Sequence, residues 1–310
     1  MSPQRASQRW GVRHRPRRGR LSRPPYGAPG FTVTELIVAA ALLVVLLTGI
    51  YQVLSSGWDT YNAGDAKADM QQNARLIMEM LEADLRMLGY GYPTDPALVN
   101  PLPRATEASN TRLTFWADLN GVSQVLSATA NAGTTTLSVP NAAGVNAGDT
   151  LYLINGGSFE SRSVSGKNTT GNPHTVTVSS GTTSQYPQGS LVGRPRQVTY
   201  CWNSTTQNCP NAAPNPNQQQ TVYRDEGDGG GYQIVAENVT GFQLRYFDSA
   251  DTEISTGTSE LGSTNASTKN QALNRIRRIR ITFTVQATKT TRPSGLQTYQ
   301  ITSDVRPRNL

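Results

Sequence analysis

The 310-residue sequence predicts an α+β protein: one long N-terminal helix, an antiparallel β-sheet body packed on its second half, and a small β-rich insertion in that body. Three patterns predict it. Leu36 to Leu47 is unbroken Ala, Val, Ile and Leu, inside a stretch from Leu36 to Trp58 without a charged residue. Ile77, Leu81, Leu85 and Leu88 then recur at i, i+4, i+8 and i+11, with Glu79, Glu82 and Arg86 on the other side, as one face of a helix requires. Beyond Tyr90 the apolar residues alternate instead, as in half-buried strands.

Phe31 to Leu54 is 24 residues, about 36 Å as a helix, enough to span a hydrocarbon core of roughly 30 Å. Tyr51, Trp58 and Tyr61 fall where an aromatic belt would mark the outer interface, and the Arg-rich N-terminal side is expected to stay in the cytoplasm. Residues 55–90 continue the helix, with no Pro between Phe31 and Tyr92; Gly49, Gly57 and Gly64 are its soft points, and Gly89, Gly91 and Pro93 stop it.

The net charge of +7 suggests a nucleic-acid or membrane-surface binder until it is located. Residues 1–30 hold eight Arg and no Asp, Glu or Lys; without those eight, the 28 basic residues fall to 20 against 21 acidic ones, a net of −1. A secretory signal places its apolar stretch before the cleavage site. Here the basic stretch ends at Gly30 and the apolar stretch follows, beginning Phe31-Thr32-Val33-Thr34-Glu35. A carboxylate at the head of a membrane segment costs a few kcal/mol unless it is paired, which makes Glu35 a candidate functional residue.

The run Gly30-Phe31-Thr32-Val33-Thr34-Glu35 followed by an apolar helix resembles the class III signal of type IV prepilins and pseudopilins. The resemblance implies cleavage of the leader, residues 1–30, by a prepilin peptidase after Gly30, methylation of the new amine on Phe31, and Glu35 as fifth residue of the mature chain. In an apolar filament core, Glu35 of one subunit would pair with the Phe31 amine of its neighbour and set the axial register. The leader is long for that family, so the expected translation start lies downstream of Met1, for example at a non-ATG codon around Val12. The block Gln71-Gln72-Asn73-Ala74-Arg75 through Asp84-Leu85-Arg86-Met87-Leu88-Gly89-Tyr90 resembles the minor pilins called PilW. The pilin-like fold implied has one antiparallel sheet that receives the helix.

Residues 91–121 and 194–310 are expected to form that sheet. Val198, Tyr200 and Trp202 alternate with Gln197, Thr199 and Cys201; Phe242, Leu244 and Tyr246 with Gln243 and Arg245; and Ile279, Ile281, Phe283, Val285 and Ala287 with Arg278, Arg280, Thr282, Thr284 and Gln286. Tyr299–Val305 supplies a last strand. Residues 122–193 read as short strands between Gly/Asn/Ser turns, a small β-roll or barrel, either decorative or carrying recognition. Segments 203–221 and 254–271 read as polar loops.

Cys201 and Cys209 are the whole cysteine complement, and a small disulfide loop formed in an oxidising compartment is the economical reading; two free thiols are the alternative. No P-loop, H-E-x-x-H, G-x-S-x-G or zinc spacing occurs, and His174 has no visible catalytic partner, so neither enzymatic activity nor a cofactor is expected. Asp225, Glu226 and Asp228 are a weak Ca²⁺ candidate that lacks EF-hand spacing; the glycines around them favour a hairpin turn. Arg277, Arg278 and Arg280 are candidate DNA-phosphate contacts, but no aromatic platform is interleaved, which favours a polar sheet face.

The resemblance implies a minor pilin, carried to the inner membrane with its body in the periplasm and then built into a type IV pilus, in its shaft or at its tip. The partners implied are the prepilin peptidase, the major and other minor pilins, and the inner-membrane assembly platform. A type II secretion pseudopilin of the J type and a pilus-tip adhesin or receptor are the alternatives.

Overall fold

The computed structural model describes residues 30–94, 102–204, 209, 220–287 and 297–308. Residues 1–29 of the leader and most of the 203–221 loop lie outside these residues. The chain divides into two compact units, 1–56 and 57–310.

One helix, α1 (Val33–Arg86), runs without interruption past Gly49, Gly57 and Gly64. In the first unit its apolar side chains are exposed all round; Leu36 is 66% and Leu54 56% accessible. In the second unit Met70, Ala74, Met78, Leu81 and Leu85 form a buried stripe at helical spacing. The stripe thus begins at Met70, about two turns before the expected start; Ile77 is only partly buried at its margin. The helix ends where Gly89 and Gly91 take positive φ, and the Gly89 N–H turns away to bond the Trp116 carbonyl at 2.7 Å.

Two strands follow, β1 (Ala105–Ala108) and β2 (Arg112–Ala117). The chain then makes β3 (Gln124–Val125), β4 (Thr136–Val139), β5 (Thr150–Asn155), β6 (Ser158–Asn168), β7 (His174–Val178) and β8 (Leu191–Gly193). It returns through β9 (Arg196–Asn203), β10 (Thr221–Asp225) and β11 (Gln233–Ala236). Last come β12 (Val239–Phe247), β13 (Glu253–Ile254), helix α2 (Ala266–Arg275), β14 (Arg278–Gln286) and β15 (Thr298–Val305).

The body holds two antiparallel sheets where one was expected: β1-β2-β9-β10-β11 and β13-β12-β14-β15. Their inner faces, the buried stripe of α1 and residues Ala272 and Leu273 of α2 share one apolar core. The alternation on β12 and β14 is observed: Ile279, Ile281, Phe283 and Val285 are buried, and Phe283 meets Phe242 edge-to-face at 6.2 Å. On β9 it fails. Thr199 and Cys201 are buried as well as Val198 and Tyr200, because Cys201 packs with Cys209, Tyr223 and Tyr232 on the outer face. The 254–271 segment is not all loop; α2 begins within it, capped by Asn265, whose Oδ1 accepts the Ser267 and Thr268 N–H groups at 2.9 and 3.3 Å.

β2 and β9 are antiparallel neighbours, in register from Arg112 opposite Cys201 to Ala117 opposite Arg196. The six strands β3–β8 are therefore spliced into what would otherwise be a hairpin connection. They form their own sheet, β3-β8-β5-β6-β7-β4, over a separate core that includes Leu137, Leu151, Leu153, Val176 and Tyr186. The seam to the body is close: Tyr92 stacks on Trp116 at 4.8 Å and meets Tyr152 edge-on at 5.0 Å. A Cβ on Gly193 would stand 1.8 Å from the Gly91 carbonyl oxygen, so only glycine allows that backbone approach.

Candidate functional site

The head of α1 is held by its own sequence. Thr32 Oγ1 accepts the Glu35 N–H at 3.3 Å, while Glu35 Oε2 accepts from the Thr32 N–H at 2.9 Å and from Thr32 Oγ1–H at 3.0 Å. This is a reciprocal capping box, which satisfies helix-end donors that would otherwise be open. Both of these contacts fall on one carboxylate oxygen. Glu35 thus has a local structural task that its charge alone did not suggest, and the T-x-x-E spacing was the signal for it. Phe31 is 87% exposed beside it, ahead of the helical stretch. Among the described residues, α1 is the one helix long and apolar enough to cross a membrane, consistent with a single-pass anchor.

Farther along α1, Asp84 is turned into the body. Its Oδ2 accepts from Tyr200 Oη–H at 2.5 Å and from Arg224 Nε–H at 2.7 Å, and Arg224 also pairs with Glu226. Burial, then the adjacent Asp84 charge, push the Tyr200 hydroxyl far above its ordinary value, so it stays a donor. The cluster ties the helix to two neighbouring strands, β9 and β10. Sequence reasoning missed it, although Asp84 stands three residues from Leu81 and next to Leu85 on the buried face, where a carboxylate needs a partner.

Cys201 and Cys209 are disulfide-bonded, with Cα atoms 5.8 Å apart and both residues buried. Replacing both with Ser is expected to lower stability by about 2–3 kcal/mol, the closure entropy of so short a loop. Chemical denaturation of the oxidised wild type and the double variant measures this; equal midpoints would contradict it.

The remaining candidates are occupied by neighbours. Asp225 Oδ1 accepts the Gly227 N–H and Asp228 Oδ1 the Gly230 N–H, both at 2.8 Å, and Glu226 pairs with Arg224. These carboxylates shape the turn between β10 and β11, and among the described residues no group of three His, Cys, Asp or Glu could hold a metal. Arg278 bonds Asp251 and Asp304, and Arg280 bonds Asp304 through two parallel contacts of 2.9 Å. Hydrogen bonding from Arg280 holds the Asp304 carboxyl below the usual range. Arg278 also lies 3.8 Å from the Phe247 ring centre, and Arg277 Nη1 donates to the carbonyls of Asn274 and Ile276. His174 Nδ1 accepts the Ala142 N–H at 2.9 Å, a role in loop packing.

A long exposed apolar helix, capped at its head and sunk at its tail into antiparallel β-sheets, defines an α+β fold of the type IV pilin-like class. Over 63 residues the chain is 35% identical to the "Pilin-like protein PilA3" of Thermus thermophilus, a match that covers 20% of this chain and 27% of that relative. This weak homology supports a relation to type IV pilin-like proteins in general. No family model matches the chain, and no solved structure matches it.

Proposed function

We propose that this chain is a PilW-like minor pilin, cut between Gly30 and Phe31, assembled in or at the tip of a type IV pilus, and needed for pilus biogenesis. The observation that carries the reading is the all-round exposure of the α1 apolar stretch directly behind the Phe31–Glu35 head. A buried core helix would hide that surface, whereas a filament or a bilayer covers it on all sides. In the proposed assembly Glu35 meets the Phe31 amine of a neighbouring subunit, the Leu36–Leu54 helix packs in the filament core, and the body faces outward. The peptidase, the major pilin and the inner-membrane platform are the partners this requires.

A second reading, a tip adhesin or receptor, is favoured by the separate core of residues 122–193, which gives that segment a surface of its own. Expression of the chain without residues 122–193 in a strain lacking the gene separates the two. A biogenesis role of the whole chain predicts few or no pili, while normal piliation with lost adhesion supports the adhesin. Normal pili in the complete knockout, with secretion lost, would point to the J-type pseudopilin instead.

A further inference from the structure

In the unit 57–310 a groove of about 920 Å³ is lined by α1 residues from Asp59 to Ile77, by Ile234 to Asn238, and by Val285, Gln286 and Ala287 at the end of β14. Three properties of its walls act together. Its ionisable side chains are Asp59, Asp65, Asp69 and Glu237, with no Lys, Arg or His among the lining residues. Among the described residues none of the three aspartates takes part in an ion pair. Large apolar side chains flank these carboxylates, with Leu76 58% and Ile234 44% exposed. And β11 ends the five-stranded sheet: one edge pairs with β10, while no strand among the described residues pairs with the other.

We propose that this groove receives an extended basic segment from a neighbouring filament subunit of different sequence, which adds to the free edge of β11. The proposal rests on the filament reading above. Edge addition satisfies the exposed backbone groups of β11; an apolar side chain of the incoming segment packs between Ile234 and Leu76, and its Lys or Arg side chains face the aspartates. The charge argues against other occupants. Anionic phosphates of lipid or nucleic acid are repelled by the carboxylates of Asp59, Asp65 and Asp69. A second copy is a poor match, since the mature sequence is net −1 and its Arg278 and Arg280 are already bonded to Asp251 and Asp304.

The test uses the full chain in piliated cells, with the photoreactive residue p-benzoylphenylalanine placed at Ile234 and, separately, at Leu46 on the anchor helix. Irradiation and mass spectrometry should give Leu46 adducts with other pilins, which checks the filament reading. They should also give Ile234 adducts with a Lys/Arg-containing segment of a different pilin, reduced at least fivefold by Asp65→Lys combined with Asp69→Lys, both helix-surface changes. Leu46 adducts without Ile234 adducts would overturn the groove proposal and leave the filament reading standing. Absence of both would overturn both. Ile234 adducts with a second copy or a non-pilin protein, or adducts unaffected by the lysines, would also overturn it.

Discussion

Asp84→Ala is expected to destabilise the mature chain by about 3 kcal/mol, the lower end of the range for breaking a buried ion pair by removing one partner. The reason is what remains. Arg224 keeps Glu226, but its Nε and the Tyr200 hydroxyl lose the acceptor they share, in a site where Tyr200 is fully buried. The Arg224 side chain is 17% accessible, so water softens the loss and the upper end is not expected. Asp84→Asn keeps an acceptor without the charge and should cost about half as much. A double-mutant cycle with Arg224→Met should show a coupling of about 1–3 kcal/mol. Urea unfolding of the full mature chain in detergent measures all three; a loss below about 0.5 kcal/mol for Asp84→Ala would show that the helix is seated by its apolar stripe alone.

Glu35→Val carries the largest expected effect on assembly. Leaving an amine unpaired in an apolar core at a cost of about 3 kcal/mol corresponds to roughly a hundredfold loss of incorporation into filaments, with cleavage largely intact. The capping box complicates this substitution, because valine also removes the acceptor for the Thr32 N–H, worth about 1 kcal/mol. Glu35→Gln separates the two tasks: it retains an acceptor for the cap and lacks the charge. It should fail to assemble almost as badly as valine, whereas Thr32→Val, which removes the cap hydroxyl and spares the charge, should assemble nearly normally. Quantitative blotting of sheared filaments reads the outcome. Normal incorporation of Glu35→Gln would refute the register role.

What the sequence disclosed follows from how local each signal was. The apolar run of α1, its Gly-marked end and the alternation on β12 and β14 are written in neighbouring residues, and the structure has them where they were read. The split into two sheets was not legible, because it depends on pairings such as β2 with β9, whose partners are separated by the whole 122–193 segment. β9 misled for a related reason: its outer face is covered by Cys209, Tyr223 and Tyr232, which come from later in the chain. Helix α2 was hidden by composition. Only Ala272 and Leu273 are buried in its Ala266–Arg275 span, too few for a periodic pattern, and the Asn265 cap was the one cue. At the candidate site, the charge and spacing of Glu35 were plain in the sequence, while the partners of Asp84 lay 116 and 140 residues away.

The near-neutral mature charge and the pairing of Glu35 with a neighbour's Phe31 amine both require a cut at the junction between Gly30 and Phe31. Intact-mass and N-terminal peptide mass spectrometry of the chain recovered from membranes and from sheared filaments tests it directly. The predicted result is a chain beginning at N-methyl-Phe31; a mature chain that begins at any other residue, or one that retains the arginine-rich leader, would contradict it.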